Sequence, residues 1–424
     1  MYSHDSYGLG HFRRNLTIAE YLLSRVPGMM ILAVTGSPRS HSFHLPHHFD
    51  YVKLPAATKD ASGNYVSREL DFDLTRLVSL RSSMLKECAA AFEPDFVLVD
   101  HTPAGLGGEL VPLLEMLRGR NVKVVLGMRD IIDEPRRVRE AWRKEGIVEL
   151  LRAHYHALLL YGDRRVFDPV EQYALPPDLA GRLFVTGYVV RNGSRQERRP
   201  GLSHLKLGGR KLVVVTAGGG GDGNRLLKTY LRGLQEIAPA GPLSSFLVTG
   251  PLMSRRKREQ IRDMAADMPF VDVAEFVEDM PWLCRAADLV VSMAGYNTVT
   301  EILDSGTPAL IVPRVAPRLE QRIRAEALAA RGLVEWLHPD DLSGARLAQK
   351  VLALACRGRR SPTNCPRLDG LAGTWEALMA VAAGEGPKAA GACALPASPL
   401  RKSGRWISRV GSDLGLTVVG GRSH

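Results

Sequence analysis

Residues 287–314 read ADLVVSMAGYNTVTEILDSGTPALIVPR, and this stretch decides the fold. An apolar strand pattern over 289–292 runs into a Ser-Met-Ala-Gly turn, a helix pattern follows, and a second apolar run ends at Pro313-Arg314. Strand, helix and strand in this order form a βαβ unit, from which parallel sheets are built. The segment therefore predicts an α/β fold with a ligand crevice where the first strand ends.

The same alternation of strand and helix patterns covers most of the 424 residues. A polar, Arg-rich segment, RNGSRQERRPG (191–201), interrupts it once. The predicted strands are 29–36, 95–100, 122–128, 156–162 and 183–187, then 211–218, 245–251, 271–277, 287–295 and 308–314. We predict two Rossmann-like domains that face each other across a cleft, followed by a disordered C-terminal tail. The predicted boundaries are 1–190 for the first domain, 191–201 for the linker, 202–381 for the second domain and 382–424 for the flexible tail.

An internal likeness supports two copies of one plan. MMILAVTGSPRS in the first half and SFLVTGPLMS in the second both end a strand in Val-Thr-Gly followed closely by Pro. Each lies one helix after a glycine loop. The alternative is that two unrelated parallel sheets share these short sequence matches by chance.

Composition narrows the function classes. The chain is 45% hydrophobic and 24% charged, and it has no apolar run of about eighteen residues, so a globular cytoplasmic protein is expected. Five scattered cysteines without a CxxC pair indicate neither a disulfide framework nor a zinc site. The formal charge of +11 favours anionic partners, either nucleotide phosphates or an acidic membrane face. No nucleic-acid module accompanies that charge, so we expect no nucleic-acid partner.

A second glycine loop, TAGGGGDGNR (216–225), lies between a predicted strand and a predicted helix. Glycines let a backbone approach a phosphate closely, and the helix N-terminus stabilises the anion. A dinucleotide fold would need an acid at the end of the next strand, but that strand ends Thr249-Gly250-Pro251. Phosphate binding therefore remains as the prediction and dinucleotide binding does not. A tight turn without a ligand is the alternative.

The 287–314 stretch itself offers a nucleotide site. Gly295, Asn297 and Thr298 open a helix after Ser292, and their N–H groups could donate hydrogen bonds to a diphosphate. Glu301 is predicted in the first turn, where its carboxylate could accept both hydroxyls of a ribose. Simple capping of the helix is the alternative for Glu301.

The chain opens with MYSHDSYGLGHFRRN, a glycine loop with almost no strand before it. Residues 1–4 are predicted to end a short central strand, unless a few apolar residues precede Met1. His11 follows Gly8 and Gly10 and is our first candidate for a general base, because imidazole titrates near neutral pH. A cap or surface role is the alternative.

Further candidates follow the predicted strands DFVLVD and VKVVLGM. Asp100 is the second candidate for the base. The expected acceptor-side residues are Gly8, Gly10, Arg13, His101, Arg129 and Asp130. An ordinary ion pair between Arg129 and Asp130 is the alternative.

Two further patterns, one rich in histidine and one rich in arginine, do not by themselves predict a binding site. HSFHLPHHFD (41–50) holds four histidines without the spacing of a zinc site, so a solvated loop is predicted. The basic stretches 135–144 and 254–262 are predicted as solvated helix faces, and a rest on anionic lipid is the alternative.

The run SMAGYNTVTE, then GTPALIVP, then E-Q-x-x-x-A-x-x-L-x-x-x-G, resembles the donor-binding half of GT-B glycosyltransferases. The likeness is to the peptidoglycan UDP-N-acetylglucosamine transferases, of glycosyltransferase family 28 C-terminal type. The G-L-G-H opening, VDHTPAGLGGE (99–109) and LGMRD (126–130) resemble a group of bacterial predicted glycosyltransferases more closely still. The likeness spans roughly residues 2 to 380.

The resemblance implies an inverting, metal-independent transfer of a sugar from a nucleotide-sugar, expected to be UDP-linked, to an acceptor hydroxyl. Neither metal nor other cofactor is expected, because helix dipoles and backbone amides would stabilise the departing diphosphate. The resemblance does not specify the acceptor, for which a lipid-linked molecule and a small molecule are the alternatives. A peripheral contact with the inner face of the membrane is a further alternative. The implied donor residues are Gly218, Gly219, Gly220, Gly221, Ser292, Gly295, Asn297, Thr298, Glu301, Glu320 and Gln321.

Three alternatives remain at this point. A sugar-nucleotide 2-epimerase and a nucleotide-sugar hydrolase would use the same donor crevice on the same fold. A noncatalytic assembly partner is favoured if His11, Asp100 and Asp130 do not converge on the cleft.

Overall fold

A strand of two residues, Tyr2–Ser3, lies at the centre of the first sheet in the computed structural model. It pairs in parallel with a strand on each side, and Ser3 lies opposite both Thr35 and Asp100. The short central strand predicted for residues 1–4 is therefore present. The structure describes residues 1–4, 10–37, 40, 43–60, 65–191, 209–236, 242–359 and 365–387.

The first domain alternates strands and helices as the sequence predicts. Its sheet has seven parallel strands in the order β3-β2-β1-β6-β7-β8-β9, with β4 and β5 as a separate antiparallel pair. Its elements are β1 (Tyr2–Ser3), α1 (Gly10–Leu23), β2 (Ile31–Thr35), β3 (Phe49–Lys53), β4 (Ala57–Lys59), β5 (Tyr65–Ser67), α2 (Leu74–Phe92), β6 (Phe96–Asp100), α3 (Val111–Leu117), β7 (Lys123–Arg129), α4 (Pro135–Lys144), α5 (Ile147–His154), β8 (Ala157–Tyr161), α6 (Pro169–Gln172), α7 (Pro177–Ala180) and β9 (Leu183–Val185).

The second domain repeats this plan with a six-stranded parallel sheet in the order β12-β11-β10-β13-β14-β15. Its elements are β10 (Lys211–Thr216), α8 (Asn224–Glu236), β11 (Leu243–Val248), α9 (Arg255–Ala265), β12 (Val271–Ala274), α10 (Met280–Ala286), β13 (Leu289–Ser292), α11 (Tyr296–Ser305), β14 (Ala309–Ile311), α12 (Glu320–Ala329), β15 (Glu335–Trp336), α13 (Gly344–Ala355) and α14 (Gly370–Ala382).

Both sheets reverse their strand order beside the first strand of the domain, at β1/β6 and at β10/β13. Such a reversal opens a crevice at the carboxyl ends of the strands, where α/β proteins bind ligands. The inner strands of both sheets are mostly apolar because helices cover both faces of a sheet; all four residues of β13 are buried, for example. The predicted α/β fold class with two Rossmann-like domains is confirmed.

The structure adds elements that the sequence pattern did not predict. Strand β3 starts inside the histidine-rich stretch that we expected to be only a loop, and β15 holds two residues. Both are edge strands, where one side pairs and the alternation of apolar residues is weak. The predicted linker lies outside the described residues apart from Arg191, as does the predicted tail beyond residue 387.

Helix α14 belongs by sequence to the predicted second domain but packs on the first. Gly370 N–H donates to the Tyr188 carbonyl at 3.0 Å, and Tyr188 N–H donates to the Arg367 carbonyl at 2.8 Å. Contacts with α1 and β8 complete the attachment. The chain therefore crosses between the domains twice, and the last helix of the predicted second domain (202–381) packs on the first domain.

A buried ion pair joins the domains at the floor of the cleft. Arg324 of α12 donates from Nη2 to Asp130 Oδ1 at 2.7 Å and from Nε to Asp130 Oδ2 at 2.8 Å, and both side chains are 1% exposed. Tyr188 Oη donates to the same carboxylate at 3.1 Å. Because all charged atoms of the pair are enclosed, losing one partner leaves a buried charge without compensation.

We expect Asp130→Asn to lower the free energy of unfolding by about 3–5 kcal/mol, because Arg324 would stay buried without a counter-charge. Asp178→Asn is the matched control, since the Arg152–Asp178 pair has similar bidentate geometry but is 43%/44% exposed. That control should cost no more than about 1 kcal/mol. Urea denaturation of both variants measures the difference, and equal losses would contradict the structural role of Asp130.

Candidate active site between the two domains

His11, Asp100 and Arg14 form a hydrogen-bonded group at the carboxyl end of the first sheet. Asp100 Oδ2 lies 2.7 Å from His11 Nδ1, and Arg14 Nη2 donates to both carboxylate oxygens at 2.6 and 2.7 Å. A carboxylate only accepts, so His11 Nδ1 is the donor to Asp100 Oδ2, and Arg14 Nη2 lies 3.1 Å from the same nitrogen. Burial alone would raise the pKa of Asp100, but the positive charges of Arg14 and His11 outweigh it and hold that pKa well below its usual value. Asp100 is therefore an ionised partner of His11.

Two more histidines flank His11. The ring centroids of His4 and His101 each lie 5.4 Å from that of His11. Burial, followed by the charges of the neighbouring groups, lowers the pKa of His4 to about 3 and that of His101 well below its usual value. His101 adopts a φ of 72°, a conformation that side chains rarely take, and Arg129 donates to its Nε2 at 3.0 Å. Both flanking histidines are thus neutral near pH 7.

Two predicted acceptor-side residues lie elsewhere. Asp130 is fully buried and its oxygens bind Arg324 and Tyr188, so it neither pairs with Arg129 nor opens to the cleft. Arg13 points to the second domain and donates to the Glu278 carbonyl at 3.1 Å. The reason is geometric, because Arg13 and Arg14 are adjacent on α1 and consecutive helix positions face different directions.

The N-terminus of α11 brings the predicted diphosphate residues together. Gly295 is the N-cap and supplies no side-chain cap, and a side chain at its position would meet nothing within 4 Å. Asn297 Nδ2 donates to the Gly10 carbonyl of the first domain at 3.3 Å. Ser292 Oγ is buried and has no hydrogen-bond partner among the described residues. The open N–H groups, the helix dipole and this unpartnered hydroxyl suit an anionic ligand.

Glu301 does not cap its helix, contrary to the simpler alternative. It lies beyond the first turn of α11, which contains no acidic residue, and it is 4% exposed in a pocket that both domains line. Burial raises the pKa of Glu301 to about 7, although the nearby charges of Arg13 and Arg191 oppose the shift. A buried carboxyl group whose pKa lies near 7 and that has two arginines nearby is typical of a binding site.

The second glycine loop lies beside α11, with Gly218 close to the Thr298 hydroxyl. A side chain at Gly220, whose φ is 92°, would collide with the Thr249 carbonyl, so this glycine is required by close backbone packing as well as by any ligand. Gly219 and Gly221 are exposed at the turn. Close backbone packing in a tight turn, without any ligand, therefore explains why Gly220 is a glycine, but it does not explain the exposed Gly219 and Gly221.

Arg314 connects this loop to the predicted sugar-binding residues. Its guanidinium binds Asp222 at 2.9 Å and Glu320 at 2.5 Å, and its backbone N–H donates to Gln321 Oε1 at 3.0 Å. Glu320 Oε2 is buried without a hydrogen-bond partner among the described residues. Glu320 and Gln321 are thus held next to the glycine loop, and one carboxylate oxygen remains unused.

The structure leaves a few predictions untested or unused. Gly8 lies outside the described residues, and so do positions 41 and 42 of the histidine-rich stretch. In the part of the chain that is described, no three His, Cys, Asp or Glu side chains gather as a metal site would need. Among the described helices, none is long and apolar enough to cross a membrane.

Sequence reasoning did not find Arg318, and it gave Arg14 and Arg314 no role of their own in this site. Arg14 was detectable, because positions three apart share a helix face and His11 precedes it by three. Arg314 ends a predicted strand, which is a weaker signal. Arg318, whose charge acts on His4, His101 and Arg129, lies in a loop that the pattern leaves unassigned.

Comparison with known proteins indicates which class of protein this chain resembles. Residues 212–364 match the family model of the glycosyltransferase family 28 C-terminal domain. Among solved structures, the glycosyltransferase of kitacinnamycin covers 90% of this chain and 94% of its own length with a TM-score of 0.55 and 17% identity. MurG of Acinetobacter baumannii covers 84% and 90% with a TM-score of 0.52 and 17% identity. The family model matches the second domain and the solved structures share the fold of the whole chain, so the chain resembles glycosyltransferases of the GT-B type.

Within that class, the chain resembles the peptidoglycan N-acetylglucosamine transferases. It is 21% identical to the UDP-N-acetylglucosamine–N-acetylmuramyl-(pentapeptide) pyrophosphoryl-undecaprenol N-acetylglucosamine transferase of Alkaliphilus metalliredigens over 83% of this chain and 89% of that protein. The enzyme of the same name from Moorella thermoacetica is 29% identical over 41% of this chain and 48% of its own length. A UDP-N-acetylglucosamine 2-epimerase also shares the fold, with a TM-score of 0.57 and 14% identity.

We expect Glu301→Gln to stabilise the protein at about pH 8 and to leave it unchanged at about pH 4. The pKa of Glu301 is about 7 in the fold and 4.5 in a free chain, so the folded state loses stability as pH rises through this window. Full ionisation costs at most about 3 kcal/mol. Thermal unfolding across pH measures the effect, and exposed Glu145→Gln is the control. Equal pH profiles for wild type and Glu301→Gln would contradict a buried carboxyl here.

Proposed function

We propose that the protein transfers a sugar from a UDP-sugar to an acceptor hydroxyl by a single inverting displacement that needs no metal ion. The observation that carries this proposal is the His11–Asp100 pair beside a helix N-terminus of the opposite domain. A base on one wall of the cleft and an anion cradle on the other are what such a displacement requires. The similarity to transferases whose names specify UDP-N-acetylglucosamine supports the donor class.

His11 would act as the general base. Asp100 accepts its Nδ1 proton and fixes the ring, so Nε2 can take the proton of the attacking hydroxyl. Arg14 holds Asp100 ionised, which allows the carboxylate to stabilise the imidazolium that forms. The acceptor oxygen then bonds to the anomeric carbon while the bond from that carbon to the diphosphate breaks, and the electron pair leaves with the nucleotide.

The second domain would hold the donor. The N–H groups that follow Gly295 at the start of α11, including those of Asn297 and Thr298, and the dipole of this helix would stabilise the leaving diphosphate, because the Gly295 N–H itself donates to the Met293 carbonyl. Glu301 would accept hydrogen bonds from the ribose hydroxyls. Glu320 and Gln321 would contact the sugar, where the unused Glu320 oxygen is available. Because the helix terminus and nearby arginines already supply positive charge, the proposal assigns no role to a metal ion.

We expect Glu301→Gln to weaken binding of UDP-N-acetylglucosamine about tenfold or more, since a carboxylate accepting two hydroxyls is replaced by an amide. Affinity of the wild type should rise as pH increases through about 7, because only the ionised form accepts both hydroxyls. The variant should show no such rise. Calorimetric titrations of both proteins across pH test this, and a pH-independent wild-type affinity would remove Glu301 from the donor site.

We expect His11→Ala to lower acceptor-dependent UDP release by about a hundredfold or more while leaving UDP-N-acetylglucosamine affinity within about twofold. Exposed His44→Ala is the matched control and should behave as the wild type. UDP release is followed with and without a panel of candidate acceptors, and the sugar product is identified by NMR.

This assay also separates the alternatives. Rapid release of UDP without acceptor would indicate a hydrolase, and conversion of the bound sugar to its 2-epimer would indicate an epimerase. Donor binding without any turnover across the acceptor panel would favour a noncatalytic partner. Wild-type rates in His11→Ala would eliminate the proposed base but not the donor site.

A further inference from the structure

Tyr296 belongs to the second domain, but its side chain reaches into the first. It is the first residue of α11, directly after Gly295. Its hydroxyl donates to the Tyr161 carbonyl at 2.9 Å and accepts the Val189 N–H at 3.1 Å. The residue is 5% exposed, and burial raises the pKa of its phenol, so the hydroxyl stays neutral and able to donate. The helix that opens the proposed diphosphate site is therefore fastened to the end of β8.

The ring of this tyrosine faces Arg14, the arginine that binds Asp100. The Arg14 Cζ atom lies over the Tyr296 ring, 5.2 Å from its centre, and over the Tyr161 ring, 5.6 Å from its centre. Both distances are within the range of a cation–π attraction, which is strongest where water is excluded. Arg14 is 3% exposed, so water hardly competes. Two aromatic rings, one from each domain, therefore enclose the guanidinium.

Arg14 needs such an enclosure because it meets Asp100 through a single nitrogen. Its Nη2 donates to both Asp100 oxygens, whereas its Nε is buried without a hydrogen-bond partner among the described residues. The pair between Arg324 and Asp130 differs, since two nitrogens of Arg324 bind two oxygens and fix the plane of the group. A pair through one nitrogen leaves the guanidinium free to turn about that contact. The flanking rings are what can fix its plane.

The two rings are held in different ways. Tyr161 is fully buried, and its Oη has no hydrogen-bond partner among the described residues. A side chain at Gly127 would collide with the Tyr161 phenol, so this glycine of the neighbouring strand β7 makes room for that ring. Tyr161 is thus fixed by its own sheet, whereas Tyr296 comes from the opposite domain. The enclosure of Arg14 is complete only where the two domains meet.

We propose that Tyr296 is a positioning residue for the proposed base. Its ring holds the Arg14 guanidinium against Asp100, and Asp100 in turn orients His11. This inference rests on the proposed function and adds to it a residue of the donor domain that aligns the base in the other domain. Tyr296 acts through Arg14 and takes no part in proton transfer itself.

The test compares Tyr296→Leu, which removes the aromatic ring, with Tyr296→Phe, which keeps it. We expect Tyr296→Leu to lower kcat for acceptor-dependent UDP release about tenfold or more, while KM for UDP-N-acetylglucosamine changes less than about threefold. Tyr296→Phe loses two hydrogen bonds but keeps the ring over Arg14, so its kcat should stay within about threefold of the wild type. Tyr296→Met, which fills similar space without a ring, replaces Tyr296→Leu if that variant does not fold.

Tyr230→Leu is the matched control for a general loss of packing. Tyr230 is 2% exposed in the core of the second domain, and its hydroxyl lies 2.8 Å from Ser245 Oγ. This control should lose stability but keep kcat within about twofold of the wild type, because its ring contacts no residue of the base group. A loss of kcat as large as that of Tyr296→Leu would assign the effect to packing and overturn the proposal.

A double-mutant cycle tests whether Tyr296 acts through Arg14. In an Arg14→Gln/Asp100→Asn background both charges of the buried pair are removed together. Tyr296→Leu should lower kcat less than about twofold further in this background, since the group that it positions is absent. A further loss of about tenfold there would show that the ring acts elsewhere and would contradict the proposal.

Hydrogen exchange of the Arg14 guanidinium tests the same contact without turnover. We expect these protons to exchange about tenfold or more faster in Tyr296→Leu than in the wild type and in Tyr296→Phe, because the ring excludes water from the group. NMR on protein with ¹⁵N-labelled arginine measures the rates. The Arg14 signals are identified by their absence from the Arg14→Gln/Asp100→Asn protein. Equal exchange rates in all three proteins would overturn the role of the ring.

The remaining outcomes separate this proposal from the proposed function. Unchanged kcat in Tyr296→Leu, or equal losses in Tyr296→Leu and Tyr296→Phe, would remove the ring as a positioning group and leave His11 as the proposed base. Faster exchange at Arg14 in Tyr296→Leu, in a protein without acceptor-dependent turnover, would support the contact and contradict the transferase proposal. The two hypotheses can therefore fail separately.

Discussion

The ion pair between Arg324 and Asp130 is the constraint on which the rest of the cleft depends. Arg324 uses three nitrogens, two on Asp130 and one on the Ala294 carbonyl at 2.7 Å. Asp130 follows β7 in the first domain, and Ala294 precedes the N-cap of α11 in the second. One guanidinium thus fixes the distance between the wall with the acceptor-side residues and the loop with the proposed diphosphate site. Since reacting groups must be held to within fractions of an ångström, this connection sets the geometry for both sites.

Charge partners, not burial alone, decide what each carboxyl group of the cleft can do. Asp100 and Glu301 are both nearly inaccessible to solvent. Arg14 bonds directly to Asp100 and keeps it ionised, whereas Arg13 and Arg191 act on Glu301 from a distance and donate instead to the Glu278 carbonyl. The pKa of Glu301 is therefore raised and that of Asp100 is lowered. A permanently charged partner suits a base, and a carboxyl that ionises on binding suits a ligand site.

The local pattern of apolar and polar residues was sufficient to predict most of the fold and the functional candidates at the ends of strands. The ten predicted strands are all present, because strands buried on both faces are continuous apolar runs. His11, Asp100 and the start of α11 could be placed in one cleft because carboxyl ends of parallel strands share an edge. The buried role of Asp130 could not be predicted, since its partner Arg324 is 194 positions away and only tertiary packing brings them together. The attachment of α14 to the first domain has the same cause.

Helix α1 shows why adjacent residues have to be assigned one by one. Consecutive positions on a helix are about 100° apart, so Arg14 shares a face with His11 while Arg13 points toward the second domain. Arg14 fixes Asp100, and Arg13 lies with Glu301 in the pocket between the domains. A single turn of helix therefore contributes to the proposed base and to the proposed nucleotide site at the same time. Arg14 also lines the pocket that holds Glu301, so the same guanidinium that bonds to Asp100 forms part of that pocket's wall.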